Sequence, residues 1–167
     1  MESIKVRPAR TQDITAIADL CGPLIQSRVL LGKERVELYE SVQEFVVAED
    51  SAGKVIGCGA LHVMWEDLAE VRTLAVSENH QGKGIGKSIL NDLLERAASL
   101  GLKRIFCLTF EVDFFKKGGF EPISEAPIDP AVYAEMVRST DEGIAEFLDL
   151  ARVKQNTLGN TRMLKLL

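Results

Sequence analysis

Glu70-Val71-Arg72-Thr73-Leu74-Ala75-Val76-Ser77-Glu78-Asn79-His80-Gln81-Gly82-Lys83-Gly84-Ile85-Gly86-Lys87-Ser88 reads as strand, tight turn, glycine-rich loop and helix start. Val71, Leu74, Ala75 and Val76 are apolar and suit a buried strand. Gly82, Gly84 and Gly86, after Gln81, open the amphipathic stretch that follows. Positions without side chains at a helix N-terminus leave backbone N–H groups bare, and the positive end of the helix dipole lies there too. Together they make a phosphate site. The stretch therefore predicts binding of a phosphorylated cofactor beside a strand that carries Glu70.

Spacing narrows the choice of cofactor. A nucleoside-triphosphate loop needs Gly, four residues, then Gly-Lys-Ser/Thr. Gly86-Lys87-Ser88 supplies the end, but Gly82 lies one residue too close and Gln81 occupies the place of the first glycine. A dinucleotide fingerprint needs Gly-x-Gly-x-x-Gly, whereas Gly82, Gly84 and Gly86 alternate. Gln-x-x-Gly-x-Gly, formed by Gln81, Gly84 and Gly86 after a Leu-Ala-Val strand, resembles the acetyl-CoA pyrophosphate loop of the GNAT family of N-acetyltransferases. Phe114-Phe115-Lys116-Lys117-Gly118-Gly119-Phe120 resembles that family's second motif, Phe-Tyr-x-Lys-x-Gly-Phe. Here Phe115 replaces the tyrosine that often protonates the leaving thiolate, and Glu78 stands where proline is common.

Length and composition agree with one domain over residues 1–167. The chain is 46% hydrophobic and 27% charged with net charge −5, an ordinary globular composition. No basic run suggests a nucleic-acid partner. Cys21, Cys58 and Cys107 are odd in number and widely spaced, which excludes a disulfide framework or metal cluster by spacing. They read as reduced, buried, small apolar residues. No apolar run suggests a leader or a membrane span, and the expected location is the cytoplasm. A two-fold dimer is the default assembly.

Periodicity places the elements. Ile4–Arg7 is a strand closed by Pro8. Ile14, Ile17, Ala18, Cys21, Leu24 and Ile25 share one helical face, with a kink or stop expected at Gly22-Pro23. Residues 28–33 form a loop and 34–43 a short helix. Strands follow at 45–49, 54–65 and 70–76, then a helix over 84–100 ending at Gly101. Residues 103–109 form a strand, 113–117 a turn or two of helix, and Gly119-Phe120 begins another strand. Asp129-Pro130 opens a helix to Arg138, and 162–167 is a last strand. Asp141-Glu142 and Glu146 read as a solvated face, and His62 as a hydrogen-bonded core histidine. His80 reads as a loop residue beside the pyrophosphate, and Trp65 as packing. This α/β (α+β) order, a mixed central sheet flanked by helices, is similar to the GNAT acyltransferase fold.

Within that family the chain resembles the short, single-domain N-acetylglutamate synthases. The matching stretches are Leu38–Phe45, Gly57–His62, Ala69–Val76, Leu108–Glu111 and Asn156–Leu164. Longer relatives carry an amino-acid-kinase-like domain, so arginine inhibition acting through that domain is not expected here. The resemblance implies acetyl transfer from acetyl-CoA to the α-amino group of L-glutamate, the first step toward arginine, with no metal. Glutamine or another small amine is the near alternative. A non-catalytic acetyl-CoA sensor is the alternative from another class, favoured by Phe115 and opposed by Glu70.

An ammonium has no lone pair, so the acceptor must lose a proton before it attacks a thioester. Glu70, eleven residues before Gln81, resembles the family's general base or water-orienter. Backbone N–H groups of Leu74, Ala75 and Val76 are the candidate oxyanion donors, if a neighbouring strand splays away. Thr109, Cys107 or a water could replace the missing tyrosine. Gln81, Gly82, Lys83, Gly84, Ile85, Gly86, Lys87 and Ser88 are expected at the cofactor. Two substrate carboxylates demand cations, and the candidates are Lys33, Arg35, Arg72 and Arg162, with Asn160 and Thr161 beside them. Arg72 shares a strand face with Glu70 by period-two alternation. A polyamine enzyme would instead want acceptor-site carboxylates.

Overall fold

The computed structural model describes residues 3–30, 32–125, 128–150 and 159–167. The tail positions Asn156, Thr157 and Leu158 lie outside them. Among the described residues, a seven-stranded sheet has the order β1-β2-β3-β4-β5-β7-β6. The strands are β1 Lys5–Pro8, β2 Phe45–Glu49, β3 Val55–Trp65, β4 Leu68–Val76, β5 Arg104–Thr109, β6 Glu121–Pro122 and β7 Thr161–Leu166. The helices are α1 Ile14–Gln26, α2 Arg35–Glu40, α3 Ile85–Ser99, α4 Val112–Lys117, α5 Pro130–Met136 and α6 Glu142–Phe147. All neighbours run antiparallel except β4 and β5, which α3 links as a parallel pair.

Alternation and amphipathicity account for the layers. One core lies between the sheet and the face of α3 that carries Ile85, Ile89, Leu93 and Ala97. A second packs Ile14, Ile17 and Cys21 of α1 against Val47, Cys58 and Ala60. Close approach of α3 depends on glycine. A Cβ at Gly59 would lie 2.7 Å from Ile89 Cγ2 and 3.0 Å from Leu74 Cδ1. Gly59→Ala is therefore expected to cost about 1–3 kcal/mol by overpacking, measurable by urea denaturation.

Three expectations change. Helix α1 passes through Pro23 to Gln26. Gly22 before it has no Cβ, and the buried face continues through partly buried Leu24 and Ile25, so tertiary packing offsets the lost backbone bond. The 34–43 segment divides into α2 and a short 3-10 turn, Val42–Glu44. The third difference is the largest. Asp141–Phe147 is no solvated face: Gly143 through Phe147 are all buried in α6. Phe147 meets Phe106 edge-on at 4.6 Å between ring centres, and Asp141 caps the helix by accepting the Ile144 N–H at 3.0 Å.

Candidate active site

The sheet opens where the sequence expects it to. Pairing between β4 and β5 runs only from Leu68↔Arg104 to Glu70↔Phe106. Beyond Glu70, the β5 side of β4 has no ladder partner. On its other side β4 carries a bulge, because Gly59 of β3 faces both Thr73 and Leu74. Thr73 has φ +56°, a strained conformation for a β-branched residue. The bulge turns the strand between two clefts.

The first cleft, about 610 Å³, runs along Leu74, Ala75 and Val76 to the start of α3. Gln81, Gly82, Gly84, Ile85, Gly86 and Lys87 line it. Gly84 is the N-cap of α3 with φ +80° and no side-chain cap, so the first N–H groups of this fifteen-residue helix lack a side-chain acceptor at the cap. A Cβ at Gly82 or Gly84 would meet no heavy atom within 4 Å, which leaves open space above the loop. Gln81 donates to the Val76 carbonyl at 3.3 Å and ties loop to strand. These features fit an anionic pyrophosphate. Lys83 and Ser88 stand outside this wall; Ser88 donates to Gly84 O at 3.2 Å within the helix turn. The wall also includes Asn91, Phe114 and Lys117, which the sequence reading did not select. Phe115 instead packs in the core, edge-on to Phe114 and Phe120.

The second cleft, about 470 Å³, joins the loop before α2 to β3, β4 and the start of α6. Glu70, Arg72, Lys33 and Asn160 all line it, with His62, Thr73, Glu37, Asp141, Glu142 and Gly143. Glu70 is 5% exposed. Its Oε2 accepts Arg72 Nε at 3.1 Å and Nη2 at 2.6 Å. Arg72 also donates to both Asp141 oxygens, at 2.8 and 2.6 Å. Burial alone would weaken the Arg72 proton, but the charges of Glu70 and Asp141 outweigh it and raise the guanidinium above its ordinary value. Burial would also raise the Asp141 carboxyl. The hydrogen bonds and charge of Arg72 outweigh that and hold it well below the usual carboxylate range.

Other expected residues stand apart from this cleft. Arg35 donates to Thr15 Oγ1 at 3.0 Å, against α1. Arg162 donates to the Glu146 carbonyl and to Asp149, where its charge suits the C-terminal end of α6. Thr161 pairs with Thr109 across β5 and β7. The Thr109 hydroxyl oxygen accepts the Glu111 N–H at 2.7 Å, closing the strand before α4. Cys107 is fully buried; burial and the Glu70 charge push its thiol well above its ordinary value. All three cysteines are buried and free.

His62 makes the expected hydrogen bond but lines the cleft instead of the core. It faces the cleft, directly opposite Glu70 in the β3–β4 register. Its Nδ1 lies 2.6 Å from Glu44 Oε1. The period of the strand does give this face, since His62, Ala60 and Cys58 alternate, but the opening above it depends on α6.

Among the described residues no group of side chains could hold a metal ion, and no helix is long and apolar enough to cross a membrane.

Comparison with known proteins agrees with this architecture. The family model described as "Acetyltransferase (GNAT) family" matches residues 18–120. An amino-acid acetyltransferase of Mycobacterium tuberculosis is 53% identical over 164 residues, covering 97% of this chain and 94% of its own. A crystal structure from the same organism, in complex with CoA and NLQ, superposes with TM-score 0.94 at 53% identity over 98% of this chain and 99% of that one. An N-acetylglutamate synthase from Neisseria gonorrhoeae, complexed with coenzyme A and N-acetyl-glutamate, gives TM-score 0.79 at 26% identity. That alignment covers 99% of this chain and 35% of the synthase. An Aeromonas salmonicida amino-acid acetyltransferase is 30% identical, with 75% of this chain matching 29% of its length.

Proposed function

Since the chain belongs to the acetyltransferase (GNAT) family, we propose that it moves the acetyl group of acetyl-CoA onto the α-amino group of L-glutamate. The observation that carries this reading is the meeting of the two clefts at the Thr73 bulge. A thioester laid along Leu74–Val76 would end beside the wall that holds Glu70. The open edge of β4 supplies backbone N–H groups for the oxyanion, a contribution of about 10²–10³-fold per donor in comparable sites. As the amine attacks, the C–N bond forms and the C–S bond breaks. The sulfur leaves as a thiolate, and the proton that the new amide nitrogen sheds passes to that thiolate or to water. Phe115 lies in the core, so no side-chain hydroxyl at that position is required by this scheme.

Glu70 is proposed to hold the incoming amine, directly or through water. Arg72 points its carboxylate, and Asp141 in turn holds Arg72. Glu70→Gln is expected to lower kcat by about 10²-fold through lost positioning with acetyl-CoA affinity unchanged, as read by steady-state CoA release and calorimetry. Undiminished turnover in that variant would remove Glu70 from the chemistry.

A second acceptor, glutamine, is favoured by one specific observation. The described wall carries two cations, Lys33 and Arg72, against four carboxylates, Glu37, Glu70, Asp141 and Glu142. Arg72 is already doubly paired, and Lys33 has no ion pair among the described residues. One free ammonium suits one substrate carboxylate, and an amide avoids placing a second anion beside acidic neighbours. With Arg35 and Arg162 turned elsewhere, the charge argument against a polyamine rests on Lys33 alone. The ratio of kcat/KM for glutamate, glutamine and spermidine decides among them.

A further inference from the structure

We infer that His62 is the group that takes the proton from the acceptor's α-ammonium, with Glu44 as its orienting partner; this rests on the amino-acid acetyltransferase reading above. Glu70 is already engaged. Its Oε2 receives two N–H bonds from one guanidinium, and the carboxylate is almost wholly buried. Such a group is fixed in place and positions a neighbour well. The imidazole across the register is differently placed. Nδ1 is engaged by Glu44 at 2.6 Å, which leaves Nε2 as the nitrogen free to act.

Nε2 lies 3.7 Å from Asp141 Oδ1, beyond hydrogen-bond reach. With Nδ1–H donated to Glu44, Nε2 keeps its lone pair and faces the space shared with Glu70. Glu44 is itself secured. Arg96 of α3 donates to the Gln43 and Glu44 carbonyls at 2.7 and 3.3 Å, so the helix that begins at the cofactor loop also seats the partner of the imidazole. Carboxylate, imidazole and open nitrogen form an arrangement that activates nucleophiles on unrelated folds.

In the step, the acceptor N–H bond breaks and its electron pair becomes the amine lone pair. The proton goes to His62 Nε2. The amine then attacks the thioester carbon and the C–N bond forms; as the C–S bond breaks, the second proton on that nitrogen passes to the departing thiolate or to water, leaving amide and thiol. The resulting imidazolium faces Glu44 from the turn before β2, Glu70 and Arg72 from β4, and Asp141 and Glu142 from α6, with Lys33 and Glu37 across the cleft. Carboxylates outnumber cations around it, and Glu44 already contacts the ring as its counter-charge. It returns its proton to solvent or to the departing thiolate.

The test uses the whole chain and whichever amino acid gives the highest kcat/KM in a panel, so a wrong choice of glutamate does not obscure it. His62→Ala and His62→Gln are compared with wild type across pH, with acetyl-CoA affinity as the check on folding. The expected result is a fall in kcat of about 10²-fold or more, loss of the acid limb of kcat/KM, unchanged acetyl-CoA binding, and partial rescue of His62→Ala by added imidazole. Glu44→Gln should lower kcat with acetyl-CoA binding unchanged, because the base then lacks the partner that orients it. Retention of the acid limb in both His62 variants, or a loss that imidazole does not restore, would overturn the assignment and return the proton to Glu70. Absence of turnover with every amino acid, in wild type, would remove both this step and the acetyltransferase reading it rests on.

Discussion

Arg72→Leu should unfold well below wild type and lose acceptor turnover. The substitution leaves buried Glu70 and half-buried Asp141 without their common partner. Removing one member of a buried ion network costs about 3–5 kcal/mol, far more than the pair contributes relative to apolar packing. For a chain of this size that is a drop in Tm of roughly 6–20 °C. The sign of the pH dependence follows from Asp141. Its carboxyl lies below the ordinary value in the folded protein, so its contribution is present above the unfolded carboxylate range and is lost as pH falls through the folded one. Wild type should therefore lose stability as pH drops below about 4, and Arg72→Leu should show a shallower slope there. Thermal melts from pH 7 to pH 3 read both effects. Equal slopes in the two proteins would mean that Arg72 is not what holds the Asp141 carboxyl low.

Gly143→Ala is expected to disable the same site by a different route. In an ordinary helix this change stabilises by about 0.5–1 kcal/mol. Here the new Cβ would collide with Glu70 Oε2, and would lie 2.6 Å from Arg72 Nη2 and 2.9 Å from Glu70 Cδ. Neither side chain steps aside easily, because Glu70 is buried and Arg72 is held by both Glu70 and Asp141. The ion pair must shift or α6 must lift. A displacement of about 1 Å at reacting groups costs on the order of 10²-fold in rate, and overpacking adds about 1–3 kcal/mol of instability. The mechanism has a sharp corollary. In a Glu70→Ala background the contacts with Glu70 are gone and Arg72 is released from that partner, so Gly143→Ala should cost much less stability. A double-mutant cycle measures this coupling; additive effects would mean that the clash is relieved elsewhere.

What could be read from residues alone divides along sequence distance. The β4 strand, the glycine loop and α3 are contiguous, and their signals are local: an apolar run, three alternating glycines, then helical periodicity. Their boundaries fall within two residues of expectation. The opening of the sheet at Leu74–Val76 was legible for the same reason. The acceptor wall was not. Asp141 and Arg72 are 69 positions apart, and nothing near Asp141-Glu142 marks a buried helix, because its acidic residues look solvated until a distant arginine is supplied. The same distance separates His62 from its meaning. A histidine within an apolar strand is ordinarily packing, and only the placement of Glu44, 18 residues away, and of α6 turns it toward a cleft. Arg35 and Arg162 illustrate the reverse case. Cation demand selected them by type, but their guanidinium groups hold α1 and the end of α6 instead. A useful signal was present in Gly143, a glycine inside a short helix with no turn to make, which marks close approach by something bulky.

On the proposed reading, the cleft holding Glu70, Arg72 and His62 accepts an amino acid whose amine is acetylated. The most direct measurement is CoA release from acetyl-CoA by the purified chain against glutamate, glutamine, other amino acids and spermidine. The expected result is saturable release that requires an α-amino acid, greatest with glutamate or glutamine, with the N-acetylated product identified by mass spectrometry. Tight acetyl-CoA binding without acceptor-dependent release, or release with spermidine alone, would contradict it.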